Sequence, residues 1–421
     1  MFRPPDFNQH PTTTIHDLPD ELLLNIGAQI THLRRNIDLA SLSLVSSKWR
    51  PIAQEWLIRK PRFNLTYIDK YLWEVGHHAH LLPQIQSLEI WSKSELRVRY
   101  SPTTGLPYRE YDAITAPNWH PNFVAKCEEL IEDYAVDKRH ARNWREALHD
   151  DCVPALLGVL ICTLPNLQEL HLGDAWLMDM SLMSVMISPE AKQHTMLPAE
   201  WLHSFLAGAV NTLHSRLQVL DIPADMSSIW FLSRMPTIYD FRPFENLREI
   251  GITMKALWWC PRRTQLGPPD PRELLPASLE VLRISEASIK TPTYLANLCA
   301  AKTGGHFPRL RRVEVYYMNH YDVMIDTARQ RRELHPLWEL QRAFGGTEME
   351  LYVYFPAHEL KTWEIGGPPW RLKSENEVWR EKLENAFWKR IGPFGVRERI
   401  WPVEEMEWDA DGDAVMIEDG Q

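Results

Sequence analysis

The hexapeptide LQELHL at residues 167–172 carries a pattern of apolar residues that recurs along most of the chain. In each copy, an apolar residue is followed by two more at positions +3 and +5. This spacing is typical of a short β-strand whose last two apolar residues point to the same side of a sheet. The copies are Ile85/Leu88/Ile90, Leu167/Leu170/Leu172, Leu217/Leu220/Ile222, Leu247/Ile250/Ile252, Leu279/Leu282/Ile284, Leu310/Val313/Val315 and a degenerate one within Glu348–Phe355.

Helices are predicted in several intervals between these strands. The middle copies start at residues 217, 247, 279 and 310, so they lie 30, 32 and 31 residues apart. Strand and helix that alternate at this period resemble the leucine-rich repeat family. The resemblance implies a curved α/β solenoid with a parallel sheet on its inner face. The predicted helices are Pro154–Thr163, Glu200–Leu213, Pro292–Ala301 and Tyr321–Phe344.

The resemblance to leucine-rich repeats is imperfect, because the residue that usually closes each turn is missing. Standard repeats place Asn or Cys three residues after the last apolar position. The chain has Ala175, Asp225, Lys255, Ala287 and Met318 at those positions. We therefore expect irregular repeats, and a single α/β domain with a mixed sheet is the competing interpretation.

The N-terminal stretch His16–Leu57, HDLPDELLLNIGAQITHLRRNIDLASLSLVSSKWRPIAQEWL, predicts three short amphipathic helices. Asp17 can cap the first helix, and Pro19 falls in its first turn, where a missing N–H costs nothing. Apolar residues then recur at helical spacing. A unit of about 40 residues without disulfides or metal buries little apolar surface by itself, so a protein partner is a physical expectation.

The same stretch resembles the F-box family in the order of its motif residues. Leu18-Pro19-x-Glu21-Leu22-Leu23-x-x-Ile26 is followed by Leu39-x-x-Leu42-x-x-Val45-Ser46-x-x-Trp49. The resemblance implies that the module docks on the Skp-type adaptor of SCF (cullin-RING) ubiquitin ligases. A generic helical hairpin is the alternative. By position, the docking surface and its supporting core would comprise Leu18, Pro19, Leu22, Ile26, Leu39, Leu42, Val45 and Trp49.

These patterns divide the chain into an α/β body with terminal additions. A flexible N-terminus (1–14) precedes the F-box-like module (15–60) and the repeat-like region (61–370). Within that region, an insertion at 92–150 adds a loop and two polar helices around Asn122–Tyr134 and Lys138–His149. Residues 261–276 are rich in proline and predict a surface loop. The remaining expectations are a helix at 371–392 as a possible cap and an acidic tail at 403–421.

Charge and composition argue against several classes of partner. The formal net charge is −10, and the tail from Val403 to Gln421 holds eight acidic residues and no Lys or Arg, so the body is close to −2. That balance lacks the basic surface of a nucleic-acid-binding protein. The longest apolar run, Val153–Leu164, is shorter than the roughly 20 residues of a membrane-spanning helix. Five dispersed cysteines favour a reduced compartment. We therefore expect a soluble intracellular protein, cytoplasmic or nuclear.

No catalytic, cofactor or metal motif emerges from the sequence. His77, His78 and His80 form the densest group of potential ligands, but no Cys, Asp or Glu follows at ligand spacing. Asp409, Asp411 and Asp413 imitate the start of an EF-hand loop, which lacks its glycine and its final glutamate. We predict a non-catalytic protein without a cofactor or a bound metal.

The leading hypothesis is a substrate-receptor subunit that binds the adaptor, and through it a cullin, with its F-box and an unidentified protein target with its repeats. The alternatives are an interaction scaffold without a degradation target and an enzyme whose site assembles from scattered residues. In the predicted register, the target would contact the residues that flank the inward apolar pairs: Glu89, Trp91, Glu169, His171, Asp221, Glu249, Arg283, Arg312, Glu314 and Tyr316.

Overall fold

The architecture comes from a computed structural model, and the description covers most of the predicted elements. The described residues are 15–30, 35–64, 67–91, 98–100, 107–109, 121–149, 153–172, 186, 207–222, 239–258, 270–317, 330–331, 336–345, 347–356, 388–394, 406–408 and 414–416. The N-terminus (1–14) lies outside them, as do Cys152, Cys260 and most of residues 357–405.

Three helices follow a 3-10 turn at Ile15–Asp17: α1 (Asp20–Gln29), α2 (Arg35–Val45) and α3 (Trp49–Arg59). Asp20 and Glu21 lie in the first turn of α1, where negative charge stabilises the positive end of the helix dipole. Leu23, Trp49 and Ile52 form a small core. We call this unit the N-terminal module.

The indole of Trp56 joins α3 to α1. Its Nε1 donates a hydrogen bond to the carbonyl of Leu24 at 2.8 Å. Gly27 permits this approach, because a Cβ at that position would lie 2.5 Å from Cδ1 of Trp56. The close packing of these two helices therefore depends on a glycine that the sequence pattern does not single out.

The body begins directly after α3 and alternates strands with helices. Its first part contains β1 (Arg62–Asn64), α4 (Ile68–His77), a 3-10 helix (Ala79–Gln84), β2 (Ser87–Trp91), β3 (Val98–Tyr100), β4 (Pro107–Arg109), α5 (Pro121–Tyr134), α6 (Lys138–His149), α7 (Val153–Thr163) and β5 (Glu169–Leu172). The second part contains α8 (Ala207–Arg216), β6 (Val219–Asp221), β7 (Glu249–Thr253), α9 (Met254–Trp258), α10 (Pro271–Leu274), β8 (Val281–Ala287), α11 (Thr291–Thr303), β9 (Arg312–Tyr317), α12 (Pro336–Phe344) and β10 (Glu350–Pro356).

Eight strands form one parallel sheet, in the same order as in the chain. The order is β1, β2, β5, β6, β7, β8, β9, β10, and every neighbouring pair runs parallel. A ninth strand, β11 (Trp388–Phe394), pairs antiparallel with β10 at the end of the sheet. The predicted α/β class with a parallel sheet is confirmed.

The repeated apolar residues lie side by side across the sheet. The second apolar residue of each copy aligns with the next in the series Leu88, Leu170, Leu220, Ile250, Leu282, Val313 and Leu351. All seven have 0% relative exposure. They belong to one hydrophobic core that also takes in residues of α4, α7, α8, α11 and α12. In the described ranges, no helix is long and apolar enough to cross a membrane.

The insertion contributes packing as well as polar surface. Its strands β3 and β4 pair antiparallel, which the sequence did not suggest. The two expected helices, α5 and α6, are present, and α6 buries Ala141, Trp144, Ala147 and Leu148. The Nε1 of Trp144 donates to the carbonyl of Ala155 in α7 at 3.1 Å. The insertion is therefore anchored to the body through its second helix.

Two expected segments differ from the sequence prediction. The proline-rich stretch 261–276 ends in the short helix α10, because Asp270 caps it by accepting from the backbone N–H of Arg272 and Pro271 suits a first helical turn. The helix predicted at 371–392 lies mainly outside the described residues, but its last part, residues 388–392, belongs to β11. An unpaired edge strand exposes backbone groups, and β11 pairs with those of β10.

The tail also contains two described strands, β12 (Met406–Trp408) and β13 (Ala414–Met416), which pair antiparallel. Asp409, Asp411 and Asp413 lie between them, outside the described residues.

The strand register predicts that two adjacent residues of β6 contribute very differently to the stability of the fold. Leu220 has no exposed surface, whereas Val219 is half-buried on the other side of the sheet. Leu220→Ala should cost roughly 2–5 kcal/mol through lost burial and a cavity, and Val219→Ala about 1 kcal/mol or less. Urea unfolding midpoints of both variants measure the difference. Equal losses, or a larger loss for Val219→Ala, would place the strand one residue out of register.

Candidate functional site

Exposed apolar side chains are concentrated on the N-terminal module. In the described part of the chain, eight large hydrophobic residues are exposed, and six of them belong to the module. Leu44 is 81% exposed and Val45 63%, both at the end of α2. Concentrated exposed apolar surface is typical of interaction sites. We call this set the apolar face: Ile15, Leu22, Ile26, Ile37, Leu44 and Val45.

Helix geometry groups these residues. Leu22 and Ile26 are four residues apart and therefore lie on one side of α1. Ile37 and Leu44 are seven residues apart, which places them on one side of α2. The remaining members extend the set at the 3-10 turn and the end of α2.

The eight residues predicted to bind the adaptor divide into surface and core. Pro19, Leu22, Ile26 and Val45 are exposed, and Leu18 and Leu42 are half-buried. Leu39 and Trp49, by contrast, are buried at 0% and 2% exposure. The last two therefore support the surface and are not themselves available for contact. The sequence pattern missed Ile15, Ile37 and Leu44, although their apolar character at exposed helical positions was a usable signal.

Lys48 fixes the start of α1 against the start of α3. Its Nζ donates to the carbonyl of Leu18 at 2.6 Å and lies 3.8 Å from Oδ1 of Asp20. The Leu-Pro segment is thereby held next to the helix that carries Trp49. This contact explains how two distant parts of the sequence motif form one surface.

A second candidate surface is the face of the sheet opposite the apolar core. One register position runs across all eight parallel strands and carries mostly charged side chains. We call it the central row: Arg62, Glu89, His171, Asp221, Gly251, Arg283, Glu314 and Tyr352. With His171 protonated, its charges alternate in sign from Arg62 to Asp221 and again from Arg283 to Glu314.

The first half of the central row is tied together by cross-strand ion pairs. Nε of Arg62 lies 3.0 Å from Oε1 of Glu89. Nδ1 of His171 lies 2.6 Å from Oδ2 of Asp221, and its Nε2 lies 3.7 Å from Oε2 of Glu169. These contacts link β1 to β2 and β5 to β6.

The second half contains a comparable network around Arg283. Its Nη2 lies 2.6 Å from Oε2 of Glu249, and its Nε lies 3.3 Å from Oε2 of Glu314. Glu314 also pairs with Arg312 at 2.6 Å and accepts a hydrogen bond from the hydroxyl of Tyr316 at 3.0 Å. Three consecutive strands, β7 to β9, are therefore joined through the guanidinium of Arg283 and the carboxylates of Glu249 and Glu314.

Gly251 separates the two halves of the row without isolating them. Burial opposes the charge of Arg283, but the carboxylates of Asp221, Glu249 and Glu314 raise its pKa above the ordinary value. Asp221 and Arg283 are the register neighbours of Gly251 on either side. Because glycine places no side chain between them, their charges interact across a strand.

His171 on this face has a strongly shifted pKa. Burial opposes its charge, but hydrogen bonds with Asp221 and Glu169, together with the charges of Asp221 and Glu89, raise its pKa to about 10. The hydrogen bond with His171 is also the main cause that lowers the pKa of the Glu169 carboxyl. Burial raises the pKa of Glu89, although Arg62 and His171 act in the opposite direction.

The His171–Asp221 pair resembles two members of a hydrolytic triad, but its charge state is unsuited to that role. A general base must be unprotonated near the working pH. An imidazole with a pKa of about 10 is protonated there, and both of its nitrogens point at carboxylates. The buried thiols of Cys127, Cys162 and Cys299 are equally poor nucleophiles, since burial raises the pKa of each to about 12.

The ten residues predicted to contact a target differ in accessibility. Strand alternation places the nine with described side chains on the charged face, and the side chain of Trp91 is not among the described ones. Asp221, Glu314 and Tyr316 are nevertheless buried, at 2%, 5% and 8% exposure. Their polar atoms contact other members of the network, and their direct contact with a target stays a prediction. The half-buried members are Glu89, Glu169, His171, Glu249, Arg283 and Arg312.

Further residues of this face were missed by sequence reasoning, among them Arg62, Glu350 and Tyr352. Arg62 lies on β1, a strand that lacks the repeated pattern. Glu350 and Tyr352 lie on β10, where the hydroxyl of Tyr352 donates to Oε2 of Glu350 at 3.2 Å. The guanidinium of Arg312 lies 4.4 Å from the centre of the Tyr352 ring. Glu350 and Tyr352 could have been predicted from the sequence, because they alternate with the apolar residues Leu351 and Val353.

Comparisons with known proteins return nothing for this chain. No protein-family model matches it, and neither the curated proteins nor the solved structures contain a match.

The raised pKa of His171 predicts a pH-dependent stability. Its charged form is favoured by folding, so the stabilisation is complete below about pH 6.5 and is lost as the pH rises through about 10. His171→Gln should therefore reduce the decline in unfolding free energy across this window. Urea unfolding of wild type and variant at half-unit pH steps measures the difference. A constant difference between the two proteins from pH 6 to pH 10.5 would contradict the assignment.

Proposed function

We propose that the chain is an F-box substrate-receptor subunit of an SCF-type cullin-RING ubiquitin ligase. The N-terminal module would bind the Skp-type adaptor through the apolar face, and the adaptor would connect it to a cullin in the cytoplasm or nucleus. The charged face of the sheet would hold the protein target. Ubiquitin transfer would then be carried out by other subunits, and this chain would contribute proximity and orientation.

The concentration of exposed apolar residues on the module is the observation that carries the proposal. These side chains follow the F-box-like order of the sequence, with Leu22 and Ile26 after the Leu-Pro start and Leu44 and Val45 before Trp49. Burying large apolar side chains contributes roughly 1.5–3 kcal/mol each. A partner that covers several of them therefore gains a favourable contribution to binding, which must exceed the entropy cost of association.

The strand order supports the second half of the proposal. Parallel strands that follow one another in sequence, each with its apolar residues in the same register, are what an irregular leucine-rich-repeat-like array requires. The charged face then offers half-buried groups of both signs, including Glu169 and Arg312, and the ring of Tyr352. Aromatic residues and arginine are over-represented among residues that dominate protein interfaces.

Charge reversal on the apolar face tests adaptor binding. Leu44→Glu/Val45→Glu should reduce capture of a purified Skp-type adaptor at least about tenfold, because an unpaired carboxylate cannot be buried without a large cost. Val136→Glu is the matched control: Val136 is 61% exposed and lies outside the module. Circular dichroism establishes that both variants fold. Full capture by the folded double variant would remove the docking assignment. Trp49→Ala is unsuitable, since that side chain supports the core.

An interaction scaffold without a degradation target is the alternative. It keeps the adaptor contact, and the burial of Asp221, Glu314 and Tyr316 favours it by leaving fewer free groups on the charged face. Affinity purification with and without proteasome inhibition separates the two. A partner that accumulates under inhibition, and is lost with Leu44→Glu/Val45→Glu, supports the receptor. Recovery of ligase subunits alone under both conditions supports the scaffold.

A further inference from the structure

The helix α3 belongs to two hydrophobic cores at once. Trp49 and Ile52, at its start, pack with Leu23 in the small core of the module. Ile58, at its end, is part of the large core beneath the sheet, together with Ile68 and Leu72 of α4. The helical segment from Trp49 to Ile58 therefore spans from one core to the other.

The connection from α3 to the sheet leaves little freedom. The helix ends at Arg59 and β1 begins at Arg62, so only Lys60 and Pro61 lie between them. The N–H of Lys60 still donates to the carbonyl of Trp56, as in a helix end. Pro61 is buried, its ring fixes φ, and its carbonyl accepts from the N–H of Glu89 at 3.0 Å. Both linking residues are thus held by backbone hydrogen bonds.

Side chains on both sides of the link add further contacts. Nδ2 of Asn36, on α2, donates to the carbonyl of Arg62 at 2.7 Å, and the side chain of Arg62 pairs with Glu89. The hydroxyl of Tyr71 on α4 donates to the carbonyl of Ile58 at 3.4 Å, and its ring stacks on Phe63 of β1 at 4.6 Å. We call Asn36, Ile58, Pro61, Arg62 and Tyr71 the junction.

We infer that α3 and the junction form a strut that holds the apolar face at one fixed distance and angle from the charged face. Relative motion of the two surfaces would require Ile58 to leave the large core and the bonds of Asn36 and Pro61 to break. The consequence for activity rests on the proposed function: an adaptor and a target bound to the two faces are held in one relative geometry. A flexible tether would instead let the target sample many positions.

Distance measurements between spin labels test the strut. Nitroxide labels at Ser41→Cys on α2 and Arg309→Cys before β9, both exposed positions, report the separation in the full chain. Cys152 and Cys260 are replaced by serine, while Cys127, Cys162 and Cys299 are buried and stay in place. Double electron–electron resonance should give a single narrow distance distribution. A broad or multi-peaked distribution in this labelled protein would overturn the inference.

The junction is then loosened and compared with the truncation of a core side chain elsewhere. Asn36→Ala/Ile58→Ala should widen the distribution at least twofold. Ile284→Ala removes the same side chain from a fully buried position on β8, far from the junction in the strand order, and should leave the width unchanged. Equal widths for the two variants would refute the strut. The measurement needs no adaptor, so a failed pull-down refutes the proposed docking and leaves this result standing.

Discussion

The structure depends on one constraint: every parallel strand must present its apolar residues to the same core at the same register position. The strands are short, several of them only three to five residues long, and such strands are stable only when neighbours and a buried face support them. The seven aligned residues from Leu88 to Leu351 supply that face without exposed surface. Because side chains alternate along a strand, the same alignment also assembles the central row on the opposite side.

The charges of the central row reinforce this register. A slip of one residue at β8 would turn Leu282 outward and force Arg283 into the apolar core without Glu249 or Glu314. An uncompensated buried charge costs several kcal/mol, so the alternating row penalises wrong pairings more than it stabilises the correct one. The network around Arg283 and the pair between His171 and Asp221 thus specify the sheet. They also make the buried members of the row poor candidates for direct contact with a partner.

The fold was accessible from sequence because its signal is local and repeated. Leu217, Leu220 and Ile222 predict a strand within six residues, and the same pattern recurs in the next copies. The composition of the charged face could be predicted to the same extent, since side chains alternate along a strand and His171 and Arg283 therefore lie on the side opposite the apolar pair. The burial of individual residues on the charged face could not be predicted, because it depends on residues that are distant in the sequence. Asp221, for example, contacts His171, which lies 50 positions away in the chain. The strand that contains Arg62 and the strand β11 were not predicted for another reason. They lie at the two edges of the sheet, where a strand can pair with its neighbour without carrying the repeated apolar pattern.

The reason for expecting a partner on the N-terminal module also changes. The sequence alone predicts that three short helices need a partner in order to fold. In the structure, α3 draws on the large core through Ile58, and Asn36 occupies a backbone carbonyl at the edge of the sheet, so the chain itself supplies part of that support. The apolar face remains exposed despite this support. We propose that docking, and not folding, explains why apolar residues are kept at Leu22, Leu44 and Val45, which stay exposed in the folded module.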